Sequence, residues 1–280
     1  MRGWGLRFLH GAARRLPKAL VYFVAIVLSF WVLAPLYVIT LAAFSSGDDV
    51  YDYPKQLLPK DLSTGTIRFF LDFPGMTDAF WRSVIVAALT LALSLGIGTP
   101  AGYALARFAF RGADTVRLSV VATRAFPIVI LSIPLAVIFI RWGIDDSVQG
   151  VAIAHTALAL PFVVLTTASV FAGVPAELEE AAMTLGCSRA SAFARVALPL
   201  ALPGLAASAI FVFIISWNEV FAASLLTLQN RTLPAAVLST LEGAPLNFRF
   251  AGGFFLLAPS VLVILIIRRY LFTMWGRVVR

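Results

Sequence analysis

The chain has 280 residues, 60% of them hydrophobic and only 13% charged, with a formal net charge of +8. A soluble domain usually has about a quarter of its residues charged. This composition, with a mean hydropathy of +0.92, therefore argues against a soluble enzyme, a disordered segment or a nucleic-acid-binding domain. It is the composition of an integral membrane protein. Its basic surplus fits the accumulation of Lys and Arg in cytoplasmic loops. The lone cysteine, Cys187, excludes an intramolecular disulfide and a cysteine cluster, and His10 and His155 have no metal-ligand spacing. Neither a metal nor a cofactor is expected in this chain.

A helix crosses the hydrocarbon core with about 20 mostly apolar residues. Taken in chain order, residues 1–18 form a basic tail holding Arg2, Arg7, Arg14, Arg15 and Lys18 without an acid. Charge-poor runs then predict six transmembrane helices at about 19–44, 83–106, 118–140, 147–172, 200–225 and 250–272, within a single domain 19–272. Arg124 alone interrupts the third run. None of the runs alternates with period two over about ten residues, which argues against a β-barrel. The fold class expected is all-α integral membrane, with a cytoplasmic tail at 273–280.

Orientation follows from the loops. Connection 45–82 has four basic against six acidic residues, whereas the connection after the second run holds Arg107, Arg111 and Arg117 against Asp114 alone. Arg268, Arg269, Arg277 and Arg280 close the chain. Both termini are accordingly expected in the cytoplasm, with loop 45–82 outside. The first apolar run is far longer than a 7–15-residue signal core, and Phe44-Ser45-Ser46 lacks a small-residue cleavage pattern. It is expected to be retained as the first span.

Connection 173–199 reads as two helices rather than a turn. Pro175 suits a first helical position, and Glu177, Glu179 and Glu180 favour the positive end of the helix dipole. Gly186 can take positive φ and end this helix, and Ser188 is a candidate N-cap for a second at 189–197. Pro199 is expected to bend the chain back into the membrane. A surface helix on anionic lipid needs Lys and Arg on its polar face. Three glutamates here favour a protein partner.

Within this loop, Glu180-Ala181-Ala182, three residues, Gly186, nine residues, Val196, one residue and Leu198-Pro199 resemble the EAA motif of permease subunits of bacterial ABC importers. The family pattern has Ile where Val196 stands. Ala159-Leu160-Pro161-Phe162, Ser216-Trp217-Asn218-Glu219 and Thr232-Leu233-Pro234 look like the carbohydrate, maltose-type branch. The resemblance implies a type I importer permease fold, with a coupling helix seated on a separate ATPase subunit. Glu180, Ala181, Ala182, Gly186, Val196, Leu198 and Pro199 would then form the docking loop. It further implies a homologous second permease, a dimer of ATP-binding subunits holding ATP and Mg, an extracytoplasmic solute-binding protein and a bacterial inner-membrane location. The solute would be a sugar, oligosaccharide or polyol. Family members of this type often end in a small-residue tail, from which the bulky Trp275 departs.

Four residues are candidates for a pathway or gate: Arg124, Trp217, Asn218 and Glu219. Arg124 has a second reading, a side chain snorkelling to the cytoplasmic interface, and Glu219 a second one as a helix cap. His155 reads as a hydrogen-bonded packing residue. The chain has no G-x-x-x-x-G-K-[ST], so energy must come from elsewhere, and no hydrolase motif points to an enzyme. The alternative is an ion-coupled secondary transporter, which typically buries carboxylates mid-span. No Asp or Glu is central to a span here.

Overall fold

The computed structural model describes residues 18–46, 49–52, 57–58 and 61–278, with side chains as far as Ile266. The basic tail 1–17, Pro54 and Pro59 of the first connection, and the C-terminal arginines and Trp275 as side chains lie outside the described residues.

Helices follow in order: α1 (Lys18–Ala43), α2 (Gly65–Asp72), α3 (Met76–Arg107), α4 (Ala113–Thr123), α5 (Ile128–Trp142), α6 (Val148–Ala172), α7 (Ala176–Thr184), α8 (Arg189–Ala192), α9 (Leu198–Asn218), α10 (Phe221–Leu226), α11 (Leu233–Thr240) and α12 (Leu246–Val278). A 3-10 turn, Asp49–Tyr51, lies between α1 and α2, and the described residues contain no strand. Among the described residues, five helices are long and apolar enough to cross a membrane: α1, α3, α6, the continuous stretch Arg189–Asn218, and α12 as far as Ile266; α4 and α5 together make a sixth if the bent pair is one span.

Three expectations are corrected. The run 118–140 is not one rod: α4 and α5 meet at 92°. Pro127 has no N–H to donate and drives Phe126 away from helical backbone. The chain therefore stops at Arg124 and restarts with Pro127 as the cap of α5. The run 200–225 is broken as well, because α9 ends at Asn218 and Glu219 is extended (φ −74°, ψ 125°) before α10 begins. Finally, the helix after Ser188 does not stop before Pro199. It passes through a π turn, Phe193–Ala197, straight into α9. The wider turn puts the Leu198 N–H on the Phe193 carbonyl. Proline, which would deny the regular ladder a donor, is thereby absorbed near the start of α9.

The chain divides into two units. In the first, made from the described part of 1–68 and from 246–254, α1 is apolar on every side and buries only Leu41, Ala42 and Ala43. An all-round apolar helix with so little protein around it is built for hydrocarbon or another chain. Its end is fixed by Phe44, edge-on to Phe254 at 5.0 Å, and by Thr66 Oγ1 donating to the Ser45 carbonyl at 3.1 Å.

The second unit, 69–245 with 255 onward, is organised on α3 and α6. They approach closely because Gly98 faces Val163 and Gly102 faces Thr167 and the Ala168 backbone. Small residues spaced four apart let membrane helices approach this way. Thr167 Oγ1 sits in the space and donates across to the Gly98 carbonyl at 3.0 Å. Gly204 of α9 meets Val170 of α6 in the same manner. At the far end from Arg107, Val86, Phe139, Val151, Ala223 and Leu226 form a core joining α3, α5, α6 and α10.

Candidate functional site

Helix α7 is only nine residues long. Pro175 stands at its N-cap, one position before the first helical residue expected of it. Its other end is a Schellman close: the Cys187 N–H donates to the Ala182 carbonyl at 3.1 Å and the Gly186 N–H to the Met183 carbonyl at 3.0 Å. Gly186 has φ +93°, a conformation that favours glycine. Ser188 then caps α8, its hydroxyl accepting from the Ser191 N–H at 3.2 Å. Leu185, Gly186, Cys187 and Ser188 join the two helices.

Two adjacent glutamates of α7 face opposite ways. Glu180 is exposed, together with Ala181, Leu178 and Leu185, the last 87% accessible. Glu179 is buried at 5%. Its carboxylate accepts from Tyr103 Oη at 2.5 Å and from Arg107 Nε at 2.7 Å, while Arg107 Nη2 donates to the Val174 carbonyl at 2.7 Å. Below lies an apolar layer of Tyr103, Phe171, Val174, Ala197, Ala201 and Leu205. Arg189 covers Phe108 at 5.2 Å. The motif positions are therefore divided by role. Glu180, Ala181 and Gly186 are exposed and Ala182 is half-buried. Val196 is half-buried within the π turn, Leu198 packs into the layer beneath, and Pro199 is exposed beyond it.

The four pathway candidates are not gathered into one site. Arg124 is exposed at the α4–α5 bend and lines a cleft of about 590 Å³ whose walls include Leu131, Leu135, Leu160, Pro161 and Val164. Trp217 is buried, its indole N–H donating to the Leu256 carbonyl at 2.9 Å and its ring stacked on Phe213. Asn218 is exposed and its amide turns back to the Ile214 carbonyl at 2.9 Å. Glu219 caps α10, accepting from the Ala222 and Ala223 N–H groups at 2.8 and 3.0 Å. It also lies 3.1 Å from His155 Nε2, and the other imidazole nitrogen lies 3.0 Å from Ser216 Oγ.

Sequence reasoning missed three features. Nothing local separates Glu179 from its neighbours, since Tyr103 and Arg107 are 76 and 72 positions away. The His155–Glu219 contact spans 64 positions. The third is Asp146, whose Oδ1 accepts from the Leu228, Gln229 and Asn230 N–H groups at 2.8, 3.1 and 3.0 Å, fastening the α5–α6 turn to the segment after α10. Partial burial alone would raise its carboxyl, but the three backbone donors outweigh it and hold the group below its usual range.

Residues 98–275 match the family described as binding-protein-dependent transport system inner membrane component. The chain belongs to that family. It is 33% identical over 201 residues to the diacetylchitobiose uptake system permease protein DasC of Streptomyces coelicolor, covering 70% of this chain and 71% of DasC. It is 29% identical over 220 residues to the trehalose transport system permease protein SugB of Mycobacterium tuberculosis, covering 76% of this chain and 80% of SugB. The fold is similar to that of a chain of a bacterial ABC transporter involved in alginate import, with a TM-score of 0.72 at 21% identity over 90% of this chain and 96% of that one. This family member is thus an all-α, multi-pass inner-membrane permease of an ABC importer. The ion-coupled secondary-transporter alternative finds no support.

Proposed function

We propose that this permease forms half of the translocation pathway for a sugar, oligosaccharide or polyol-type solute, and that the exposed face of α7 docks a separate ATPase subunit. The solute class is supported by the named substrates of the relatives DasC and SugB. A homologous permease completes the pathway, a solute-binding protein delivers to the outer face, and lipid surrounds the spans. ATP and Mg are held by the ATPase dimer, so this chain is non-catalytic. Both termini and loop 173–199 face the cytoplasm, with the bulk of Arg107, Arg111 and Arg117 on the same side.

The observation that carries the docking reading is the division of α7. Its buried face is fully engaged, while Glu180, Ala181, Leu178 and Leu185 stand exposed on a helix too short to persist unaided. Glu180 can accept a charge-assisted hydrogen bond from a partner arginine or backbone N–H. Ala181 lacks the bulk to hold a partner surface away. When the ATPase dimer closes it draws two such helices together, and the spans rock from inward- to outward-facing.

Co-purification of the assembled importer tests this. Glu180→Lys and Gly186→Val should each reduce retained ATPase at least tenfold, the first by charge reversal and the second by strain at φ +93°. Retention of the ATPase by both folded variants would overturn the reading.

A further inference from the structure

We propose that Glu179, Tyr103 and Arg107 form the linkage through which α7 moves α3, so that motion of the docked ATPase enters the membrane bundle through that span together with α6, to which residues 173–175 join α7 directly. The inference rests on the docking reading above. A nine-residue helix needs an external hold, and besides its chain connection to α6 through residues 173–175, α7 has two of unequal stiffness. Towards α8 it is joined by residues 185–188, turning at Gly186 with φ +93°. Towards α3 it is held by a buried carboxylate at 2.5 Å from one side chain and 2.7 Å from another.

The arginine adds a second point of attachment. Arg107 Nε grips the body of α7 at Glu179, and Nη2 grips its lead-in at the Val174 carbonyl, both at 2.7 Å. Tyr103 and Arg107 are one turn apart on α3, so the two donors act from one face of one helix. Breaking such a pair strands a buried charge, whereas the turn towards α8 is closed by two neutral backbone hydrogen bonds. Displacement of α7 is therefore passed to α3 rather than absorbed between them. The α3 and α6 spans then move together, because they meet at Gly98 and Gly102 without intervening bulk.

Glu179, Tyr103 and Arg107 are positioning residues and touch neither solute nor nucleotide. The test uses the complete importer in nanodiscs, in a Cys187→Ser background, with spin labels at Trp81→Cys on α3 and Thr184→Cys on α7. Both positions are exposed, and the labelled complex is checked for bound ATPase. The distance is read with and without a non-hydrolysable ATP analogue.

In the parent, the distance should stay constant on nucleotide addition. In Glu179→Gln and Tyr103→Phe it should match the parent without nucleotide and shift by about 2 Å or more with it, the scale of helix shifts in switching proteins. ATPase should be retained in both. A nucleotide-dependent change in the parent, or none in either variant, would overturn the linkage. So would a distance already altered before nucleotide is added, which marks a merely structural role. If Glu179→Gln does not assemble, Tyr103→Phe alone decides, because it keeps the ion pair. Retention of ATPase by Glu180→Lys would instead sink the docking reading, whatever the label distances.

Discussion

Substituting Gly102 by alanine is the sharpest test of how the bundle is held. An added Cβ would lie 2.0 Å from Thr167 Oγ1 and 2.7 Å from the Ala168 backbone nitrogen. The threonine can rotate away, but the backbone nitrogen cannot. Restoring ordinary contact at 3.4 Å therefore requires α3 and α6 to separate by several tenths of an ångström. Such overpacking costs about 1–3 kcal/mol. Rotation of Thr167 also loses its hydrogen bond to the Gly98 carbonyl, about 1 kcal/mol net. Against this, replacing glycine in a helix gains up to about 1 kcal/mol. The expected result is a net loss of about 2 kcal/mol, a factor of about 30 in the folded-to-unfolded ratio. Gly96→Ala is the control, since a Cβ there meets nothing within 4 Å and only the propensity gain applies. Denaturant unfolding of the purified permease in detergent, followed by circular dichroism, compares the two. If Gly102→Ala unfolds at the same denaturant concentration as Gly96→Ala, the close-approach argument is refuted.

Two further outcomes are expected. Asp146→Ala should lower stability by roughly 1–3 kcal/mol, because three backbone N–H groups lose their acceptor, while Asp146→Asn, which keeps an oxygen at that place, should lose less. Because the folded carboxyl lies below its usual value of 3.8, its contribution is complete above that pH and disappears as pH falls through the folded value. Melting temperature should therefore fall more steeply in the parent than in Asp146→Asn below about pH 4. Glu219→Ala removes the cap of α10 and leaves His155 without its carboxylate. A loss of about 1–3 kcal/mol is expected, with protease sensitivity rising after Asn218. A melting temperature equal to the parent's would contradict that role.

Much of the helical form of loop 173–199 was legible because its signals are short-range. The Gly186 turn and the Ser188 cap follow from residue types at fixed offsets, and the EAA spacing adds an independent pattern. The apolar runs marked most of the spans, since hydropathy registers length without shape. It could not register the bend at Arg124–Pro127, because proline is tolerated inside α1, α3, α5, α6, α9 and α12 as well. Nor could it find the break at Glu219, whose cause is a side chain turning forward onto Ala222 and Ala223. The opposed faces of Glu179 and Glu180 were invisible for another reason. Burial of a charge is decided by partners 72 and 76 positions distant, which no local window contains. The close approach of α3 and α6 was written in the spacing of Gly98 and Gly102, and could have been read there.

The uninterrupted passage from α8 through the π turn into α9 gives the protein a long lever. Thirty residues at about 1.5 Å each make a rod of about 45 Å. A tilt of about 5° at the Ser188 end swings Asn218 sideways by about 4 Å, on the scale of a sugar ring's width. A small displacement beside α7 thus becomes a large one at the opposite end of the bundle, where α10 and the Glu219 joint receive it.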